Sequence, residues 1–347
     1  MLFTSRSGIL ERRTQQPPRL KASRPSCRLA TKTSRLTGMS RLVKLFAAAV
    51  IVCSAIPLAA QDWAKAALEK SPRHREYVPI KSGGKTIQTF VVYPEVSSKA
   101  PVVVLIHEIF GLSDWAKLMA DEIAAKGYIV ITPDLLSGAG PNGGGTDSFS
   151  GQDAVTHAVS GLNPDAVMAD LDAAADYGKS LPASNGKLYV TGFCWGGGKS
   201  FAFATHRHDL SAAFVFYGPP PPDDAMKNIT APVYGFYAGN DARISATVPA
   251  TTSAMQAAGK KYEPVIYDGA GHGFMRAGQA PDASAANKKA YDEGFARMLQ
   301  VLSGSGHAQA SPGKKSPAVG KSSVASGNPS ACHDEDQSKP AELAAIM

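Results

Sequence analysis

The chain has 347 residues, enough for one large domain or two small ones. Its net charge of +7 is unevenly placed: eleven of the 36 Lys and Arg lie between Arg6 and Lys44 against one acid, Glu11, and the 25 basic and 28 acidic residues that follow sum to about −3. The basic excess belongs to the leader, which excludes nucleic-acid recognition by the remainder.

Met39-Ser40-Arg41-Leu42-Val43-Lys44 is a basic segment, Leu45 to Leu58 is apolar, and Ala59-Ala60 precedes Gln61. This order is that of a secretory signal peptide and predicts a periplasmic or secreted protein. The apolar run is shorter than the roughly 20 residues of a spanning helix, and Pro57 sits near its end, so no membrane span is expected in the mature chain. Met39 is the expected start. Residues 1–38 are then upstream sequence, and 1–60 together are extension plus signal peptide. Past residue 60 only Cys194 and Cys332 remain, too few for a disulfide framework.

Residues 61–302 read as one domain. Asp62 to Ser71 suits a short helix. Arg75 to Ile80 and Thr86 to Tyr93 flank Gly83-Gly84 and predict an antiparallel hairpin. Pro101 to Ile106 is a continuous apolar run, as in a strand covered on both faces. Asp114 to Lys126 has helical period and ends at Gly127, and Tyr128 to Thr132 is the next buried strand. Ser137 to Asn163 is Gly-rich and without clear period, an expected loop that either roofs a pocket or is a surface excursion. Pro164 to Lys179 is helical, and Leu188 to Thr191 is a strand. Ala212 to Tyr217, Pro232 to Tyr237 and Glu263 to Tyr267 are further strands. Thr251 to Ala258 and Ala286 to Leu302 are helices. Strands alternating with helices predict an α/β fold, a mostly parallel sheet with helices on both faces and a site at the strands' carboxyl ends. Residues 303–347 are rich in Ser, Ala, Pro, Gly and Lys and are expected to be a disordered tail.

The chemistry centres on Gly192-Phe193-Cys194-Trp195-Gly196, between a strand and a helix. A nucleophile in a Gly-x-nucleophile-x-Gly turn is held in a strained conformation at the rim of the sheet. The flanking glycines let strand and helix approach. The helix that starts there aims its N–H groups at the site, which favours a thiolate. A free Cys is also a common buried hydrophobe, so the partners matter. In an α/β-hydrolase arrangement an acid and then a histidine follow, each after a late strand. Asp241 follows the strand ending at Tyr237, and His272 follows the strand ending at Tyr267. His272 is the expected proton carrier, and Asp241 orients it and stabilises its imidazolium. His206 and His208 do not share a helix face and have no evident third ligand, so no metal is expected. No cofactor is implied.

Four segments, His107-Glu108-Ile109-Phe110-Gly111, Gly192-Phe193-Cys194-Trp195-Gly196-Gly197, Gly239-Asn240-Asp241 and Gly271-His272-Gly273-Phe274-Met275-Arg276, resemble the dienelactone hydrolase family of α/β-hydrolases. The resemblance covers roughly residues 75–302. It implies that Cys194 is the nucleophile and that Glu108 is a buried carboxylate that helps generate its thiolate. It also implies an oxyanion hole from the backbone N–H groups of Ile109 and Trp195, and an Arg276 that holds a substrate carboxylate. A second carboxylate-binding arginine of the family would lie just after Pro133-Asp134-Leu135, where this chain has Leu136-Ser137-Gly138-Ala139-Gly140. The expected activity is hydrolysis of small esters or lactones through a thioester. The missing arginine leaves room for a general carboxylesterase on neutral substrates, and a non-catalytic exported binding module on the same fold is the reading from another class. The expected partner is a small-molecule substrate, and a monomer is compatible with the sequence.

Overall fold

The computed structural model describes residues 62–304. The signal peptide expected at 39–60, the Met39 start and the tail beyond 304 lie outside the described residues. Eight strands are formed: β1 (Arg75–Ser82), β2 (Lys85–Val92), β3 (Ala100–Ile106), β4 (Ile129–Pro133), β5 (Ser184–Phe193), β6 (Leu210–Phe216), β7 (Val233–Ala238) and β8 (Tyr262–Tyr267). The helices are α1 (Asp62–Glu69), α2 (Asp114–Ala124), α3 (Gln152–Ser160), α4 (Pro164–Ser180), α5 (Trp195–His206), α6 (Asp223–Met226), α7 (Ala242–Ser245), α8 (Val248–Ala257), α9 (Phe274–Ala277) and α10 (Ala285–Gly304).

The strands make one sheet in the order β1-β2-β4-β3-β5-β6-β7-β8. The β1–β2 and β2–β4 pairings are antiparallel and the rest are parallel. The hairpin turns at Gly83 and Gly84, both at positive φ, which the Gly-Gly pair supplies without steric cost. Parallel strands need crossover helices, and these cover both faces. On one face Val103, Leu105 and Phe193 pack with Trp115 and Met119 of α2 and Met298 of α10. On the other, Val102, Val104 and Ile106 pack with Val167 and Leu171 of α4 and Phe201 of α5. Successive side chains of β3 thus enter opposite cores, which is why that strand is apolar without alternation.

The α/β architecture expected from the sequence is the one observed. Several elements differ in extent, α8 starting at Val248 rather than Thr251. β5 starts at Ser184 rather than Leu188, because Ser184 pairs with Ala100; the exposed Asn185-Gly186-Lys187 stretch bulges out of the ladder before pairing resumes at Leu188 opposite Val102, and it carries no apolar signal. The 137–163 stretch is not all loop. It contains α3, whose Val155 and Val159 are buried with Leu136. Only two core positions in nine residues is too weak a period to read. The stretch is tied back by Asp134, which accepts from the Thr146 N–H and Oγ1–H at 2.7 Å each and from the Leu136 N–H at 3.1 Å. Thr146 Oγ1 in turn accepts from the Leu112 N–H at 3.0 Å.

Candidate active site

Five parallel strands deliver residues at or shortly past their ends to one rim. Glu108 follows β3, Cys194 follows β5, Tyr217 follows β6, Asp241 follows β7 and His272 follows β8. Cys194 adopts φ 56°, ψ −117° as the N-cap of α5. A side chain at positive φ is costly and persists only where the surroundings hold it. Here the Cys194 N–H donates to the Phe216 carbonyl at 3.0 Å, and the Gly198 N–H donates to the Cys194 carbonyl at 3.2 Å. The flanking glycines are required by space. A Cβ on Gly192 would strike the Gly196 carbonyl, and one on Gly196 would strike the His107 carbonyl.

The Cys194 side chain faces the His272 imidazole. On the other side of the ring, His272 Nδ1 donates to Asp241 Oδ2 at 2.5 Å. Asp241 is buried, and its other oxygen accepts from the Ile244 N–H at 3.4 Å as the N-cap of α7. The His272 pKa is pushed up to about 9, first by the neighbouring Cys194 and then by Asp241, with burial opposing. Protonated imidazole beside sulfur is the arrangement that favours a thiolate.

Glu108 is 1 % exposed and directed to Arg276, whose Nε donates to Glu108 Oε2 at 2.9 Å. Burial pushes the Glu108 carboxyl above its usual range, and the charge and hydrogen bond of Arg276 pull it back part of the way. The Arg276 guanidinium also lies 5.0 Å over the Phe110 ring. Arg276, expected from the sequence to face a substrate carboxylate, is thus engaged with a protein carboxylate.

The backbone N–H groups of Ile109 and Trp195 make no hydrogen bond among the described residues. Both residues pack against the Leu136, Val155 and Val159 cluster, so α3 and the stretch before it press on the two candidate donors. The Trp195 ring stacks on that of His107 with centroids 5.7 Å apart. The structure therefore brings Cys194, His272 and Asp241 together at one rim, and pairs Glu108 with Arg276. His206, weighed as a metal ligand, instead pairs through Nε2 with Asp172 Oδ2 at 2.6 Å.

Tyr217 was missed from the sequence. It has φ 41° and is fully buried, with its ring 5.0 Å from that of His272. The available signal was position: like Glu108 and Cys194, it directly ends an apolar strand and precedes a turn. Phe110, whose ring lies under the Arg276 guanidinium, has no signal in the sequence beyond its place in the His107–Gly111 segment.

A family model described as the dienelactone hydrolase family matches residues 87–305. A Salmonella typhi protein that carries the name carboxymethylenebutenolidase is 33% identical over 235 residues, spanning 64% of this chain and 84% of the relative. An Escherichia coli (strain K12) protein carrying the same name is 31% identical over 238 residues, spanning 65% and 84%. Among solved structures, one named as a dienelactone hydrolase, from Klebsiella pneumoniae, matches with TM-score 0.59 and 28% identity over 67% of this chain and 98% of that one.

Proposed function

Because the chain belongs to the dienelactone hydrolase family of α/β-hydrolases and is a hydrolase of ester or lactone bonds, we propose that it cleaves small esters or lactones by acyl transfer through Cys194. The observation that carries this reading is the hydrogen-bonded His272–Asp241 pair facing Cys194, with Cys194 at positive φ on a helix N-terminus. The thiolate attacks the carbonyl carbon and the carbonyl electrons pass to oxygen. Backbone N–H groups of Ile109 and Trp195 receive that oxyanion, each worth on the order of 3 kcal/mol in such a role. Collapse expels the alkoxide, which takes the His272 proton and leaves a thioester. Water, deprotonated by His272, then attacks the thioester and releases the acid and the sulfur. Asp241 keeps the imidazole oriented and stabilises its charged form.

Glu108 assists at the start of the cycle. While Arg276 holds it, the carboxylate is stabilised as an anion. When Arg276 turns to a substrate anion, Glu108 loses its counter-charge in a buried site and becomes the stronger proton acceptor. A second reading, a carboxylesterase for neutral substrates, is favoured by a specific arrangement. Arg276 is already taken by Glu108, and the 136–140 segment holds no cation but places the fully buried Leu136 among Val155 and Val159. No helix among the described residues is long and apolar enough to cross a membrane. The leader at 39–60 supports export, which N-terminal sequencing of the mature protein tests: a start at Gln61 is expected.

Steady-state hydrolysis of a panel of anionic lactones and neutral esters, with Cys194→Ala beside the unsubstituted enzyme, tests both readings. Loss of turnover in Cys194→Ala is expected, and undiminished turnover would rule the thioester route out. A preference for anionic lactones would count against the neutral-ester reading. A protein inert on the whole panel, with a Cys194 no more reactive than a free thiol, would instead be the non-catalytic binding module.

A further inference from the structure

Tyr217 combines features that core packing alone does not call for. A bulky residue at φ 41° is a backbone outlier that must be held in place. Its N–H donates to the Phe236 carbonyl at 2.7 Å, and its ring meets those of His272 and Phe274 edge-on at 5.0 and 5.1 Å. A phenylalanine would satisfy all of these contacts. The hydroxyl is buried, yet it has no partner in hydrogen-bond geometry among the described residues. A buried hydroxyl left unpaired is costly, so its retention asks for a partner in another state of the site.

The groups around that hydroxyl narrow the choice. Glu108, Cys194 and Arg276 are the charged or titratable groups that face it, with the Met275 backbone beside them. Arg276 offers only donors. The Cys194 sulfur is only a weak acceptor. Glu108 is an acceptor whose Oε2 is occupied by Arg276 Nε. The groups facing Glu108 are Arg276 from α9, His272 from the β8–α9 turn, and Tyr217 itself from the end of β6, whose hydroxyl is near enough to draw the Glu108 carboxyl down but falls short of hydrogen-bond geometry.

We infer that Tyr217 is a positioning residue whose hydroxyl donates a hydrogen bond to the Glu108 carboxylate in the substrate-bound enzyme, taking over as Arg276 turns to the substrate. This rests on the reading of Cys194 as nucleophile and Glu108 as its proton acceptor. The handover keeps a buried carboxylate solvated by one neutral donor, so it stays oriented toward the thiol without the full counter-charge that would quench its basicity. Burial holds the phenol well above its usual pKa, so it remains a neutral donor throughout the working range.

The test is Tyr217→Phe, which keeps the ring. It is read by kcat and KM against pH, normalised to active sites counted from the burst of product released by an activated ester, so that misfolded protein is not counted. The expected result is a kcat per titrated site lower by about 10-fold or more, because the proton acceptor is no longer held toward the thiol, with KM changed little. The acid limb of the profile should move to higher pH, because a carboxylate that loses a donor is harder to ionise. In a Glu108→Gln background the same substitution should have no further effect. Equal kcat and an unmoved acid limb in Tyr217→Phe would overturn the inference, as would a full effect in the Glu108→Gln background. If iodoacetamide fails to inactivate the unsubstituted enzyme, it is the nucleophile reading that has failed. If it inactivates both proteins with identical profiles, the Tyr217 inference alone has failed.

Discussion

Replacing Arg276 by Met separates the structural from the chemical part of the Glu108 pair. Met roughly keeps the length of the aliphatic stem and removes the charge. Glu108 is 1 % exposed and the Arg276 side chain 28 %, and their contact is 2.9 Å. Removing one partner of a buried pair costs about 3–5 kcal/mol because the other is left uncompensated. The partial exposure of Arg276 lets water reach the site, so the lower end, about 3 kcal/mol, is expected at pH 8. That is a large fraction of the roughly 5–15 kcal/mol that holds a domain together.

The cost must depend on pH in a definite direction. Burial already raises the folded-state Glu108 pKa above its unfolded value, and losing Arg276 raises it further. An acid with a raised folded pKa is tolerated below its unfolded pKa and loses stability as pH rises toward its folded pKa. The difference between the unsubstituted and Arg276→Met proteins should therefore shrink toward pH 4 and grow toward pH 8. Urea unfolding of both proteins, of Glu108→Gln and of the double variant, at each pH, provides the assay. The double variant, neutral at both positions, should recover most of the loss. Equal stability of Arg276→Met at pH 8, or a cost that is the same at both pH values, would refute the idea that Arg276 compensates a buried charge.

Asp241→Asn should lower kcat/KM on the order of a hundredfold or more. It should also move the alkaline limb below the value of about 9 set by His272, since it withdraws a contribution that holds the imidazolium. A pH–rate profile reads both effects. Thr146→Val removes the hydroxyl that donates to the buried Asp134 and accepts from Leu112, so denaturant unfolding should show a loss of about 2 kcal/mol. Tyr217→Phe should lower kcat with little loss of stability, because the ring contacts remain.

What could be read from the sequence followed from strong local signals. The continuous apolar runs of β3, β4 and β6 announce strands covered on both faces, and their alternation with helices fixes a parallel sheet. Gly-x-Cys-x-Gly specifies its own turn because no side chain fits at Gly192 or Gly196. Once that turn and the strand ends are placed, Asp241 and His272 are carried to the same rim by topology. α3 escaped notice because its two buried valines form a cluster that exists only in the folded chain. The Glu108–Arg276 contact spans 168 residues and two strand ends, and no local pattern encodes it. Tyr217 reads in sequence as one more aromatic at a strand end, and only its backbone angle and unpaired hydroxyl set it apart.

The thioester is the central claim, and rapid quenching followed by intact-protein and peptide mass measurement tests it most directly. During turnover of an activated ester, the protein should gain the mass of the acyl group on the peptide containing Cys194, and the adduct should decay at the rate of product acid release. Turnover at full rate with Cys194 unmodified, or with the acyl group on another residue, would contradict the account.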